Sequence, residues 1–239
     1  MRTAQAALII PALNEADCLP RLFDAIPPDL FRWILVADNG STDRTAEIAR
    51  ARGAIVATQP ERGYGAASLA AIALLPPEAG IVVWMQADLS EDPAQAIELL
   101  APIRAGAADL VLGSRTMGRA APGALLPHQR FGNTLACSLM HIFWGHKFSD
   151  LGPFRAIRRD CLDRLAMEDR NYGWTIEMQI KALQHRLRIV EIPIRYGHRI
   201  AGENKVSGNW RASIRAGWII LRTVFRYAAR VNQGSRPST

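Results

Sequence analysis

With 239 residues, 49% hydrophobic and 21% charged, the chain has the make-up of a globular protein able to bury a sizeable core. It contains no run of about 18 uninterrupted apolar residues, so no membrane-spanning helix is expected. The net charge of +7 is uneven: residues 1–119 hold 10 Arg against 14 Asp and Glu, whereas residues 120–239 hold 16 Arg and 3 Lys against 8, which points the second half toward phosphates.

The opening Met1-Arg2-Thr3-Ala4-Gln5 lacks the apolar segment of a signal peptide. Cys18, Cys137 and Cys161 have no metal-ligand spacing, and a sparse, odd count suits a reducing compartment. The expected location is cytoplasmic, with the inner membrane face as a possible docking place.

In chain order, Ala6 to Ile10 reads as a buried strand, and Asn14 opens a helix that Pro27-Pro28 end. Trp33 to Ala37 is a second strand, running into Asp38-Asn39-Gly40-Ser41-Thr42-Asp43 and a helix from Arg44 to Arg52. Ala54 to Ala57 is a short third strand. Gly63-Tyr64-Gly65 opens an alanine-rich helix to Leu75, and the two glycines would let backbone approach a ligand closely. Ile81 to Met85 is a fourth strand, ending in Gln86-Ala87-Asp88-Leu89-Ser90-Glu91-Asp92-Pro93, with Ser90 or Asp92 capping a helix that Pro93 starts. This cadence predicts a doubly wound parallel sheet over residues 1–115.

Leu110 to Gly113 reads as another strand and residues 116–127 as a loop. A helix from Arg130 to Phe143 follows, then a strand over 154–157, a helix from Thr175 to His185, and a strand from Leu187 to Ile194 that Pro193 places near an edge. A final helix spans roughly Asn209 to Arg230, with a frayed tail from Gln233. On it Arg211, Arg215, Arg222, Arg226 and Arg230 share one arc. Trp210, Ile214, Trp218, Leu221 and Phe225 take the neighbouring arc, a pattern shared by interfacial helices and by helices that dock one side on a core.

Polar residues recur at three strand ends: Asn14-Glu15, Asp38 and Asp88. On one rim of an α/β sheet such carboxylates suit a nucleotide, accepting from a base or ribose and holding a cation at the diphosphate. Ile10-Pro11-Ala12-Leu13-Asn14-Glu15, Val36 to Asp43, and Arg62-Gly63-Tyr64-Gly65-Ala66-Ala67 resemble the opening motifs of family 2 glycosyltransferases. Ser149-Asp150-Leu151-Gly152-Pro153-Phe154-Arg155 and Arg199 to Gly208 are similar to the polyprenyl-phosphate sugar synthases.

The resemblance implies an α/β GT-A fold, Rossmann-like and three-layered, with a mostly parallel central sheet. Residues 1–208 would form the catalytic domain, 209–232 a basic amphipathic helix, and 233–239 a disordered tail. It implies inverting transfer of a hexose from a GDP- or UDP-linked sugar to a polyprenyl phosphate, with Mg²⁺ or Mn²⁺ as cofactor. Pro11, Leu13, Glu15, Asp38, Gly63 and Ala87 would hold the nucleotide. Asp88 would bind the metal beside Gln86 and Ser90, Arg199 and Lys205 would close over the diphosphate, and Arg115 and Arg130 would grip the acceptor phosphate.

Relatives usually carry Asp-x-Asp where this chain has Gln86-Ala87-Asp88. One formal charge is lost, so metal should bind less tightly unless Glu91, Asp92 or the nucleotide's own oxygens compensate. Two other readings stand beside the lipid-phosphate one: a soluble acceptor, or a relative that binds nucleotide sugars without turnover. Nucleic acid is not an expected partner, because no aromatic residues interleave with the Arg run. Glu177 either lies near the acceptor or holds an arginine in place, and His128 is the histidine nearest the expected phosphate-binding residues.

Overall fold

The computed structural model describes residues 5–201 and 210–234, with side chains of the last helix placed from 217 to 229. A single seven-stranded sheet runs in the order β3-β2-β1-β4-β6-β5-β7. The strands are β1 (Gln5–Ala12), β2 (Trp33–Asp38), β3 (Ile55–Thr58), β4 (Ala79–Trp84), β5 (Leu110–Ala120), β6 (Arg155–Arg158) and β7 (Ile189–Tyr196). β1 to β4 are mutually parallel, as the β-α-β cadence requires.

The parallel order is interrupted at β6, which is antiparallel to both β4 and β5. The strands contributed by residues 1–115 nevertheless all run one way, as expected, because β5 is antiparallel to β6 and therefore runs with β4; a strand arriving some 40 residues later is inserted between β4 and β5, and β5 pairs parallel with β7 at the edge. Pro193 sits in that edge strand, where a missing N–H costs no ladder bond to a further strand. The loop expected over 116–127 is corrected in part. Residues 116–120 extend β5, and after an irregularity Arg119 and Ala120 pair with Arg195 and Tyr196. Gly118 permits this, because a Cβ there would sit 1.9 Å from the Ile194 carbonyl oxygen.

Helices cover both faces. In β1 the strand period of two sends Ala7 and Ile9 to one core and Leu8 and Ile10 to the other. The second core packs α1 (Leu19–Ala25), α2 (Thr45–Ala51) and α4 (Ala96–Arg104). The first packs α3 (Tyr64–Ile72), α5 (Pro127–Trp144), α6 (Arg159–Leu165) and α7 (Trp174–Gln184), with Trp84 against Trp174 at 6.2 Å. α8 (Trp210–Gly234) lies on α5 and α7 through Val224 and Tyr227.

α1 begins at Leu19, later than the expected Asn14. Asn14 adopts the left-handed conformation (φ 50°), and its side chain accepts from Thr42 N at 2.7 Å, so residues 14–18 form a turn tied to the segment after β2. α6 is a short helix that the sequence pattern did not reveal.

Candidate active site

The carboxyl ends of β1, β2 and β4 lie side by side and open into a cleft of about 470 Å³. Pro11, Leu13 and Glu15 line it from β1 onward, Asn39 from the end of β2, and Gln86, Ala87 and Asp88 from the end of β4. Arg115 of β5, His128 and Asn133 of α5, Tyr196 at the end of β7, and Arg199 also line it.

Two carboxylates converge on one guanidinium. Arg199 donates through Nη2 to Glu15 Oε2, and its Nη1 lies 3.4 Å from Asp88 Oδ2. All three side chains are at most 15% exposed, so the charges are poorly screened and bind each other more strongly than a surface pair would.

The turn after β4 shapes Asp88. Leu89 takes the left-handed conformation (φ 58°), which a branched side chain rarely adopts, and Asp88 Oδ1 accepts from both Ser90 N (3.0 Å) and Ser90 Oγ (2.6 Å). Ser90 Oγ also lies 3.0 Å from Gln86 Oε1. A hydroxyl has one proton, and Asp88 takes it. The opposite amide orientation therefore satisfies all three groups, with Gln86 Nε2 donating to Ser90 Oγ and Ser90 donating to Asp88. Gln86 thus holds the turn together.

Among the described residues no group of three His, Cys, Asp or Glu is arranged to hold a metal ion. Asp88 is the anionic ligand on offer, with neutral oxygens at Ser90 and Gln86. Such a hard donor set fits Mg²⁺ or Mn²⁺ only as an ion shared with a diphosphate, which supplies the missing oxygens.

Neither acidic neighbour offers a second anionic ligand. Asp92 caps the turn at Pro93–Gln95 by accepting from Ala94 N, and pairs with Arg195. Glu91 is fully buried, with Oε2 accepting from Gln86 N at 2.8 Å and Oε1 lacking a partner. Burial pushes its carboxyl up to about 8, the Gln86 N–H opposes this, and the Asp88 charge adds to it. The folded chain therefore keeps a proton that the unfolded chain releases above the ordinary value of 4.5. The stability from this group is full below 4.5 and declines as pH rises through about 8. Glu91→Gln keeps an oxygen for Gln86 N and cannot ionise. Denaturant melts from pH 5 to 8 should show the wild type losing stability relative to the variant, by at most about 1.4 kcal/mol per pH unit.

Arg115 is fixed by a residue from the resembling Ser149–Arg155 segment. Asp150, 1% exposed, accepts from Arg115 N, Nε and Nη2, each at 2.8 Å. Burial opposes the Arg115 charge, but the hydrogen bonds and charge of Asp150 outweigh it and hold the guanidinium more firmly protonated. Its planar face lies over the Tyr196 ring at 5.3 Å. The same segment joins β7 and α5, because Ser149 N donates to Glu191 and Leu151 N to Asn133 Oδ1. Arg155 is buried and bonds the Gly152 and Thr175 carbonyls.

The two glycines at the start of α3 serve the chain itself. A Cβ at Gly65 would lie 1.9 Å from Asp169 O, and one at Gly63 2.1 Å from Arg170 O. Ala66 N and Gly65 N donate to Arg170 O and Asn171 O, so these first amides of α3 are already used. Gly63 still lines the cleft, but Gly65 makes room for the 169–171 backbone. Gly65→Ala should destabilise the protein by about 3 kcal/mol or more, since backbone cannot yield as a side chain can. A fall in the urea midpoint tests this.

The other sequence candidates are placed as follows. Asp38 is buried, accepts from Ser41 N at 3.1 Å, and does not line the cleft; its neighbour Asn39 does, bonding Gly63 N and the Gln59 and Glu61 carbonyls. Arg130 is exposed on α5 and donates to Leu125 O, while His128 and Asn133 of that helix reach the cleft. Lys205 lies outside the described residues. Glu177 fits neither reading offered for it. It is buried and accepts from Glu168 N, Asp169 N and Tyr227 Oη, with Lys181 at 3.0 Å, so it anchors a loop and the last helix. The sequence does not single out Asp150 or Tyr196 as site residues, and offers Glu91 only as a carboxylate that would compensate for Gln86. The hint for Asp150 was its place in the resembling segment.

Glycosyl transferase family 2 matches over residues 7–166. The chain belongs to that family. An uncharacterised glycosyltransferase of Mycobacterium tuberculosis is 37% identical over 208 residues, covering 87% of this chain and 92% of that one. The undecaprenyl-phosphate mannosyltransferase of Micrococcus luteus is 35% identical over 219 residues, covering 84% and 86%. Among solved structures, glucosyl-3-phosphoglycerate synthase from Mycobacterium tuberculosis, with Mn²⁺, UDP and glucosyl-3-phosphoglycerate, superposes with a TM-score of 0.74 at 22% identity, covering 95% and 80%. That likeness shows the fold, which is GT-A. The glycosyltransferase has no helix among its described residues long and apolar enough to cross a membrane.

Proposed function

We propose that this glycosyltransferase moves a hexose, with inversion, from a nucleoside-diphosphate sugar to a polyprenyl phosphate. The observation that carries the reading is one continuous cleft lined by the Glu15–Arg199–Asp88 cluster and by the anchored Arg115. A nucleoside would lie along Pro11, Leu13 and Glu15, with Asp38 behind Asn39. The diphosphate would meet Arg199, and Lys205 would join it.

A divalent ion on Asp88, Gln86 and Ser90 would supply positive charge where the leaving diphosphate develops negative charge. The chain's own contribution there is Arg199, which trades Glu15 and Asp88 for phosphate oxygens and grips them in a bidentate fork. Arg115 presents to an acceptor phosphate the edge that Asp150 does not use, and Asp150 fixes its orientation. A lipid phosphate is ionised at neutral pH, so attack on the anomeric carbon requires orientation more than a strong base. Arg130 is near enough in sequence to the cleft-lining turn of α5 to meet that phosphate on binding.

The test offers GDP- and UDP-linked hexoses, with Mn²⁺, to a polyprenyl phosphate and separately to soluble phosphate esters. Transfer to the polyprenyl phosphate is the expected result. Transfer only to soluble esters would overturn the lipid acceptor, and no transfer from any donor at millimolar metal would overturn the reaction itself.

A further inference from the structure

Helices α5 and α8 share a property that the site does not use. Their 18 and 25 residues include no Asp or Glu, whereas α8 carries five arginines. On their outward side Phe131 and Ile142 of α5 are each 71% exposed, and Trp218 and Phe225 of α8 are 68% and 53% exposed. Phe143 and Phe225 meet edge to face at 5.9 Å, so the two helices present one surface. Single exposed apolar residues are ordinary, but large ones gathered on two abutting helices mark an interaction face.

α8 is divided lengthwise. Val224, Tyr227 and Ala228 are buried against the body, Trp218 and Phe225 face outward, and Arg222 and Arg226 are exposed beside them. The same two helices also line part of the cleft, through Gly132 and Asn133 of α5 and Gly217 and Ile220 of α8.

We infer that α5 and α8 together form a docking face for a bilayer carrying anionic phospholipid. Aromatic and aliphatic side chains would enter the headgroup boundary while Arg222 and its neighbours meet lipid phosphates. A second copy of this chain is a poorer occupant. A two-fold contact would set two carboxylate-free, arginine-bearing helix pairs against each other. The inference deepens the lipid-acceptor reading and rests on it for the direction of the cleft, though not for the surface itself.

The experiment sediments the full chain with phosphatidylglycerol-containing vesicles and with pure phosphatidylcholine vesicles. The variants are Phe131→Ser with Ile142→Ser on α5, and Arg222→Glu on α8. Expected are binding to the anionic vesicles alone and a loss of at least about tenfold in either variant, tenfold being about 1.4 kcal/mol. The serine variant should keep the wild-type melting temperature and its transfer to a short, water-soluble prenyl phosphate. Undiminished vesicle binding by the serine variant would overturn the inference. So would a dimer in the wild type that the same variant abolishes, with no vesicle binding by either. Lost vesicle binding in a chain that transfers to no prenyl phosphate would support the face and remove the lipid acceptor.

Discussion

Asp88→Asn should lower sugar transfer by about 10²–10³-fold while leaving the melting temperature nearly unchanged. Asparagine retains an oxygen for Ser90 N and Oγ, so the left-handed turn at Leu89 keeps its hydrogen bonds. On the proposed reading the anionic ligand for a divalent ion disappears, together with one of the two carboxylates that hold Arg199. Activity and stability measured together separate this from a folding defect. Wild-type activity in Asp88→Asn would remove Asp88 from the reaction. The companion change, Gln86→Asp, puts a second carboxylate two residues before Asp88. It should tighten Mn²⁺ in the presence of a nucleoside diphosphate by about tenfold, or about 1.4 kcal/mol, read as a thermal shift during metal titration. It should also cost stability near neutral pH, because a new anion would stand beside the Glu91–Asp88 neighbourhood and replace the Gln86 donor to Ser90.

Asp150→Ala is expected to be the most damaging substitution for stability, at about 3–5 kcal/mol. It would strand the Arg115 guanidinium, 15% exposed, by removing its two bonds to Asp150, and would leave the Arg115 backbone N–H without that acceptor. Urea melts give the loss directly, and the double variant with Arg115→Met should recover part of it because no buried charge is then left unpaired. A loss under about 1 kcal/mol would mean that water replaces Asp150 at little cost.

Much of this architecture is legible in the sequence because strand alternation and strand-end polar residues are local signals. β1 to β4, the edge position of Pro193 and the acidic rim are all of this kind. The antiparallel course of β6 is not legible, since a four-residue strand says nothing about its direction or its partners. Asp150 and Arg115 stand 35 residues apart, and no spacing rule joins them. Glu91 and Asp92 look equivalent as neighbours of Asp88, yet one is buried under the turn and the other caps it at the surface. The strand-end backbone decides that difference, and composition does not. The amphipathic make-up of α8 is legible, but the body claims neither expected arc: Val224, Tyr227 and Ala228 are buried, while Trp218, Phe225, Arg222 and Arg226 stay exposed.

Tyr227 gives the last helix a meaning that amphipathicity alone does not. Its hydroxyl donates to Glu177, whose carboxylate also holds the backbone of Glu168 and Asp169; the carbonyl of the next residue, Arg170, accepts from the Ala66 amide at the start of α3, beside cleft-lining Gly63 and Tyr64. The C-terminal segment is thus a keystone of the catalytic body. A chain cut before Trp210 would lose a donor to a buried carboxylate and uncover the core beneath Val224. Removing the helix would therefore confound attachment with folding, whereas substitutions on its outer side would keep the two questions apart.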